Sequence, residues 1–368
     1  MQKSTLNKKR QYGIEMEMNV PTQVQAITLR DGTTDTVRLN SHGRVAEYLN
    51  NNTSSFVEVH AEGYNHRTRP YWKIVSDSSL RTNTNEMSLE LVSPPLKGNE
   101  GFRQLFEITT ALNKVNAKIN KSHGIHVHHD LNDWKQSARE ASQTRSKRKL
   151  NLNANKVSNL LDIVARYEPI LWAVQPKSRI GDNGNGGFNS WSFGNSSEAY
   201  NSYYRMTSGL MRLNNTADGR KNALTNIKNF LISQHARTLN SRRHCGLNFY
   251  SFWRYGTVEF RMAAGSTNYK KIKNWIVLTQ AIVETADRKA EQGRKVFYSQ
   301  TKPIHHTAIG KIMRSFKTMV GLTLTGPDTR AGIERDGHYA EASEWMTERV
   351  RQNGRNRRFG SRWALIQR

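Results

Sequence analysis

Cysteine occurs once in 368 residues, at Cys245. That excludes an intramolecular disulfide framework and any zinc centre built on several thiolates. Long apolar runs are missing too: nothing approaches the ~20 consecutive apolar residues that a membrane-spanning helix needs. The N-terminal MQKSTLNKKRQYG has the basic character of a secretory leader but no apolar stretch behind it. A soluble, cytoplasmic protein with no membrane partner is the expectation. Acidic residues are scarce, 30 Asp and Glu against 56 Lys and Arg, for a net charge of +26. Such an excess either serves solubility or attracts a polyanion, because Lys and Arg that neutralise phosphates release counterions. Its clustering in SRIGDNGN, RSKRKLNLNANK and RVRQNGRNRRFGSR favours the polyanion, a nucleic acid foremost.

What is present is a globular composition: 36% apolar residues, with eight Trp and thirteen Tyr spread along the chain. Its length suffices for one large domain or two ordinary ones, and there is no internal repeat. Patterning predicts an opening strand at Tyr12–Val20 and a hairpin over QAITLRDGTTDTVRLN, turning at Asp31-Gly32. Strand-like segments follow at SSFVEVHAE, PYWKIVSD and MSLELV. Helical periodicity predicts helices over Glu100–Ile119, Lys156–Val174, Ala223–Leu239 and Tyr269–Gln292, the last stopped by Gly293. Two more are predicted near His305–Val320 and Ala340–Asn353. The expected class is α+β: an antiparallel sheet with an open polar face, helices on its other face, and a small helical C-terminal extension. The boundaries drawn are 11–295 for a catalytic domain and 296–368 for the basic extension.

Four strands share one habit. GIEMEMN sets Glu15 and Glu17 on one face against Ile14, Met16 and Met18. SLELV sets Glu90 against Leu89 and Leu91. GIHVHHD, which lies within a segment holding four of the twelve histidines, sets His126 and His128 against Ile125 and Val127. TVEFRM sets Glu259 and Arg261 against Val258, Phe260 and Met262. Alternation alone is what any half-exposed strand shows. These outward residues, however, are metal- and phosphate-binding types rather than a mixture of Thr, Lys and Gln. Several carboxylates on one face resist ionising together unless divalent cations neutralise them. Oxygen ligands favour Mg2+ or Mn2+, which bind beside nucleotide phosphates, and an arginine suits a phosphate in such a site. His123 and His129 fall to structural roles by the same alternation, and Glu58, Glu62, Glu86 and Asp130 read as surface residues.

In this order and spacing the motifs resemble the amidoligases, ATP-dependent carboxylate–amine ligases built on the catalytic fold of glutamine synthetase and glutamate–cysteine ligase. YGIEMEMNV is similar to that family's opening Glu-x-Glu strand, and YWKIVSDSSL to its Trp strand ending in an Asp-x-Ser turn. LELVSPPLKGNEGFRQL, GIHVHHDLND, SRRHCGLNFYSFWRYGTVEFRMAAGS and IKNWIVLTQAIVETA resemble its later segments. The likeness spans roughly residues 11 to 290. It implies Glu15, Glu17, Glu90, Glu259 and His126 as metal ligands, with His128 beside the nucleotide. It implies Arg261 and Arg243 on the transferred phosphate, with Glu259, Arg261 and Arg243 as the catalytic set. Arg179, Asn248 and Asp77 would border the substrate. After Arg179, GDNGNGGFNSW replaces the Asn-x-Tyr-Cys pattern of relatives.

The implied cofactors are ATP and Mg2+ or Mn2+, and the implied partners are a carboxylate and an amine. The acceptor could be polyanionic, such as a modified nucleic acid, an acidic peptide or a cell-wall polymer. The glycine- and asparagine-rich Arg179–Ser197 reads as a lid that shields an acyl phosphate. Two alternatives stand beside a ligase: a phosphotransferase or ATPase on the same fold, and a basic nucleic-acid-binding protein on a degenerate one.

Overall fold

The computed structural model describes residues 6–22, 25–28, 31–134, 154–176, 179, 246–248, 250–293, 309–322 and 337–354. The chain divides into two compact units. The first comprises Asn7–His129 and Ala263–Ile276; the second comprises Met1–Leu6, Asp130–Met262 and Val277–Arg368.

The first unit holds β1 (Tyr12–Pro21), β2 (Gln25–Thr28), β3 (Thr34–Val37), α1 (His42–Asn52), β4 (Val59–Ala61), β5 (Trp72–Val75), β6 (Glu86–Val92), α2 (Gly98–Lys114) and β7 (Gly124–Asp130), whose final residue already belongs to the second unit. β2 and β3 form the expected hairpin, with Gly32 at φ 85° in its turn. The other strands lie in the order β4-β5-β6-β1-β7. Register follows the alternation. Ile74, Leu91, Met16 and Ile125 line up across four strands, and all four are at most 2% exposed. Fully burying a side chain of this size contributes roughly 1.5–3 kcal/mol, so the row fixes which face turns inward. α2 covers this face: the Phe102 ring stacks on Tyr12 at 5.6 Å, and Trp72 Nε1 donates to Gln104 at 3.0 Å.

Three expectations need correction. The sheet is mixed, because β4 runs parallel to β5. The loop 62–71 between them is long enough to carry the chain back to the starting end of the next strand, which a tight hairpin cannot do. The polar face is only partly open: Glu17, Asn19, Lys73 and His126 are only 5%, 1%, 3% and 5% exposed, while Glu15, Glu90 and His128 are half-buried. α2 stops at Lys114 rather than Ile119, since Asn116 adopts φ 56° and Lys118 exchanges backbone hydrogen bonds with Asn19 of β1. A helix was also missed at α1, where Val45, Ala46, Tyr48 and Leu49 bury only a short stripe. Its start is signalled by Ser41, whose hydroxyl accepts from the Arg44 amide.

The second unit contains a 3₁₀ turn (Asn132–Trp134), α3 (Ala154–Ala173), β8 (Leu247–Asn248), α4 (Tyr250–Tyr255) and β9 (Thr257–Ala264), whose last two residues belong to the first unit, with β8 antiparallel to β9. α5 (Tyr269–Glu291) begins in the first unit and continues into the second. Its last turn carries Arg288 and Lys289, and Gly293 at φ 64° follows as expected of a helix stop. α6 (Ile309–Met319) and α7 (Gly337–Gly354) pack on α3. Tyr167 meets the Phe316 ring edge-on at 5.2 Å, and Asn353 Nδ2 donates to the carbonyls of Ala173 and Gln175. The helix expected at 223–239 lies outside the described residues.

Candidate active site

In the first unit the carboxylates and imidazoles converge because adjacent strands place them opposite one another. Glu17 faces Glu90 across β1 and β6, while Glu15 faces His126 across β1 and β7. Glu15 Oε2 lies 2.9 Å from His126 Nδ1, and its other oxygen lies 3.3 Å from His128 Nε2. Glu17 accepts from the Gly124 amide at 2.5 Å and lies 3.7 Å from His126 Nε2. Asp77, half-buried after β5, accepts from the Ser79 amide at 2.7 Å in the Asp-x-Ser turn.

Electrostatics separate the two central carboxyls. Burial, then the negative charges of Glu15, Glu17 and Asp77, push Glu90 well above the usual carboxyl range. Burial pushes Glu15 the same way, but His128 and His126 outweigh it and hold it well below that range. One ligand atom from each of Glu15, Glu90 and His126 lies within 4.8 Å of the others. Two carboxylate oxygens and an imidazole nitrogen at that spacing fit a hard divalent cation, which relieves the repulsion that otherwise loads Glu90 with a proton.

The second unit gathers another set. Glu259, 4% exposed, accepts from Asn248 Nδ2 at 2.7 Å through one oxygen and from Arg261 through the other. Arg179 donates to the Arg261 carbonyl at 3.1 Å, and the Arg261 amide donates to Gly246. The structure thus brings Asn248, Glu259, Arg261 and Arg179 together although 82 residues separate the last two in sequence. Arg243, the rest of the 179–197 loop, and most of the basic clusters lie outside the described residues.

A profile described as "Putative amidoligase enzyme" matches residues 8–149 and 201–283. The chain belongs to the amidoligase family. No curated protein matches it. Among solved structures, the bifunctional glutathione synthetase from Pasteurella multocida is similar at 15% identity with a TM-score of 0.38. That alignment covers 95% of this amidoligase and 47% of the synthetase, so the chain spans about half the length of that protein.

Two further polar residues of this amidoligase are prominent in the structure. Lys73 is buried on β5 with its Nζ bonded to the 65–67 loop. Parity was the available signal, since a lone cation between Trp72 and Ile74 must turn to the polar face. Glu86, read as a surface residue, is instead a hub: it accepts from Asn19 at 2.9 Å and from Asn83 at 3.0 Å, and pairs with Lys118 at 3.1 Å. His123 and His129 are buried, as their assignment to scaffold requires. Among the described residues no helix is long and apolar enough to cross a membrane.

Proposed function

We propose that this amidoligase is an ATP- and Mg2+-dependent carboxylate–amine ligase acting through an acyl phosphate. The observation that carries the reading is the convergence of Glu15, Glu90 and His126 on one point. Those three would hold the divalent cation with Glu17 behind them, and Glu259 is assigned to the same chemistry. Bound there, the cation supplies charge neutralisation on phosphate oxygens.

The chain's own groups do the rest. Arg261 and Arg243 stabilise negative charge on the phosphoryl group as it passes from ATP to the substrate carboxylate, releasing ADP. His128 orients the nucleotide, and Asn248, Arg179 and Asp77 orient the substrate. An amine then attacks the acyl carbon, the C–O bond to phosphate breaks, and amide, inorganic phosphate and a proton leave. The 179–197 loop is assigned to excluding water from this second step.

The net charge of +26 supports a polyanionic acceptor, with nucleic acid ahead of an acidic peptide or a cell-wall polymer. The test supplies ATP and Mg2+ with pooled carboxylates, amines and nucleic acids, and reads ADP release and product mass. Amine-dependent gain of mass supports ligation, and its loss in Glu259→Gln supports the assignment of that residue. ADP release indifferent to every amine identifies a phosphotransferase or ATPase instead. No ADP release, with nucleic acid bound, identifies a binding protein.

A further inference from the structure

Lys73 sits on the polar face of the first unit with no role in the proposed chemistry. It is 3% exposed, and its Nζ donates to Asn65 O at 3.2 Å, Asn65 Oδ1 at 2.9 Å and Arg67 O at 2.8 Å. Register sets Lys73 opposite Val92, and Val92 opposite Glu15. In the neighbouring row on that face stand Val75, Glu90 and Glu17. The ammonium therefore shares a face with the carboxylates; burial disfavours its charge most, and the negative groups that offset this are Glu62 first, then Glu15 and Glu90. Burying a full positive charge is costly unless negative groups offset it. Carbonyl acceptors alone would be served by a neutral donor.

The loop that Lys73 grips is closed at its other end by Glu62. That carboxylate takes the Tyr71 hydroxyl at 2.7 Å, Asn65 Nδ2 at 2.6 Å and Arg69 Nε at 2.8 Å. Between the two anchors Tyr64 and Arg67 are exposed.

We propose that Lys73 is a positioning residue of the carboxylate site: its buried charge offsets the negative potential of Glu15 and Glu90, and its hydrogen bonds fix the Asn65–Arg67 loop at the edge of that face. The first half rests on the reading of Glu15, Glu90 and His126 as cation ligands; the second rests on the hydrogen bonds alone. A site weakened in this way holds a bare cation loosely and takes it together with phosphate oxygens.

The experiment compares the full chain with Lys73→Met, Lys73→Gln and Lys73→Arg, by Mn2+ titration calorimetry and by amide hydrogen exchange over residues 64–68. Loss of the charge in Lys73→Met should tighten Mn2+ binding about 5- to 30-fold, from Coulomb interaction at intermediate dielectric. It should also speed exchange at Asn65–Arg67. Lys73→Gln keeps hydrogen-bond donors and should tighten Mn2+ equally, which serves if the Met variant does not fold. Lys73→Arg should keep the parent affinity. Unchanged or weaker Mn2+ binding in the neutral variants overturns the proposal, because a lysine that only props a loop gives that result. If the parent chain takes no Mn2+, the cation reading itself fails, and unchanged exchange in Lys73→Met then removes the loop anchor as well.

Discussion

Glu15 and His126 face each other across the β1–β7 ladder with carboxylate oxygen and Nδ1 2.9 Å apart. This pair anchors the acidic cluster, and Glu90 completes it from the other side of β1. Because the strands hold all three side chains, the cluster is set by register rather than by loop conformation.

Replacing Glu90 by Gln separates ligation from folding. Glu90 is destabilised by burial and by the charges of Glu15, Glu17 and Asp77, so the neutral variant should melt at or above the parent temperature. Its Mn2+ affinity should fall by at least about 10- to 100-fold, the loss that removal of even an outer-shell partner of a metal site produces. Calorimetric titration and thermal melts of the same samples read both. Equal Mn2+ affinity in the two proteins would remove Glu90 from the ligand set.

Acid should destabilise the first unit through His123. Burial lowers this imidazole to about 4 from its ordinary value of 6.5, and its Nδ1 accepts from the Asn120 amide at 3.0 Å. The unfolded chain therefore binds a proton before the folded one does. The stabilisation is full above about pH 6.5 and falls as pH drops toward about 4, by up to about 3 kcal/mol. Urea midpoints at pH 7.5 and 4.5 for parent and His123→Gln should show the smaller acid loss in the variant.

Gly101 is expected to tolerate no side chain although it lies inside α2. A Cβ there would meet Tyr12 Oη at 2.5 Å and Leu96 Cβ at 2.8 Å. Gly101→Ala, which ordinarily favours a helix, should here cost about 1–3 kcal/mol by overpacking. Adding Tyr12→Phe should recover part of that loss, since the buried Tyr12 hydroxyl has no hydrogen-bond partner among the described residues. A double-mutant cycle with chemical denaturation measures the coupling.

The docking of α7 on α3 hangs in part on Asn353, whose Nδ2 reaches Ala173 O at 2.7 Å and Gln175 O at 2.8 Å. Asn353→Ala should cost about 1–2 kcal/mol through lost hydrogen bonds to the end of α3. Hydrogen exchange should quicken in 337–354 before it quickens in β1.

Much of this was legible in the chain. The alternation in YGIEMEMN and GIHVHHD sets Glu15, Glu17, His126 and His128 on one face whatever the partners, because a strand has a period of two. The start of α5 and its stop at Gly293 follow equally from local chemistry, and the order of the motifs pointed to the amidoligases. α1 escaped because four buried residues over one short stripe give too little period to distinguish from a loop.

Other features depended on which strand lies beside which. No local pattern says that β4 runs parallel to β5, since the loop 62–71 permits either direction. Nor does it say that Glu86 is a half-buried hub or that Lys73 grips a loop eight residues earlier. Local sequence determined the faces of the strands and the residue types upon them, through sterics and periodicity. Only the tertiary structure decided the register that puts Glu90 beside Glu15 and the enclosure that shifts their proton affinities. Pairing and burial are properties of contacts between distant segments, and no stretch of sequence carries them alone.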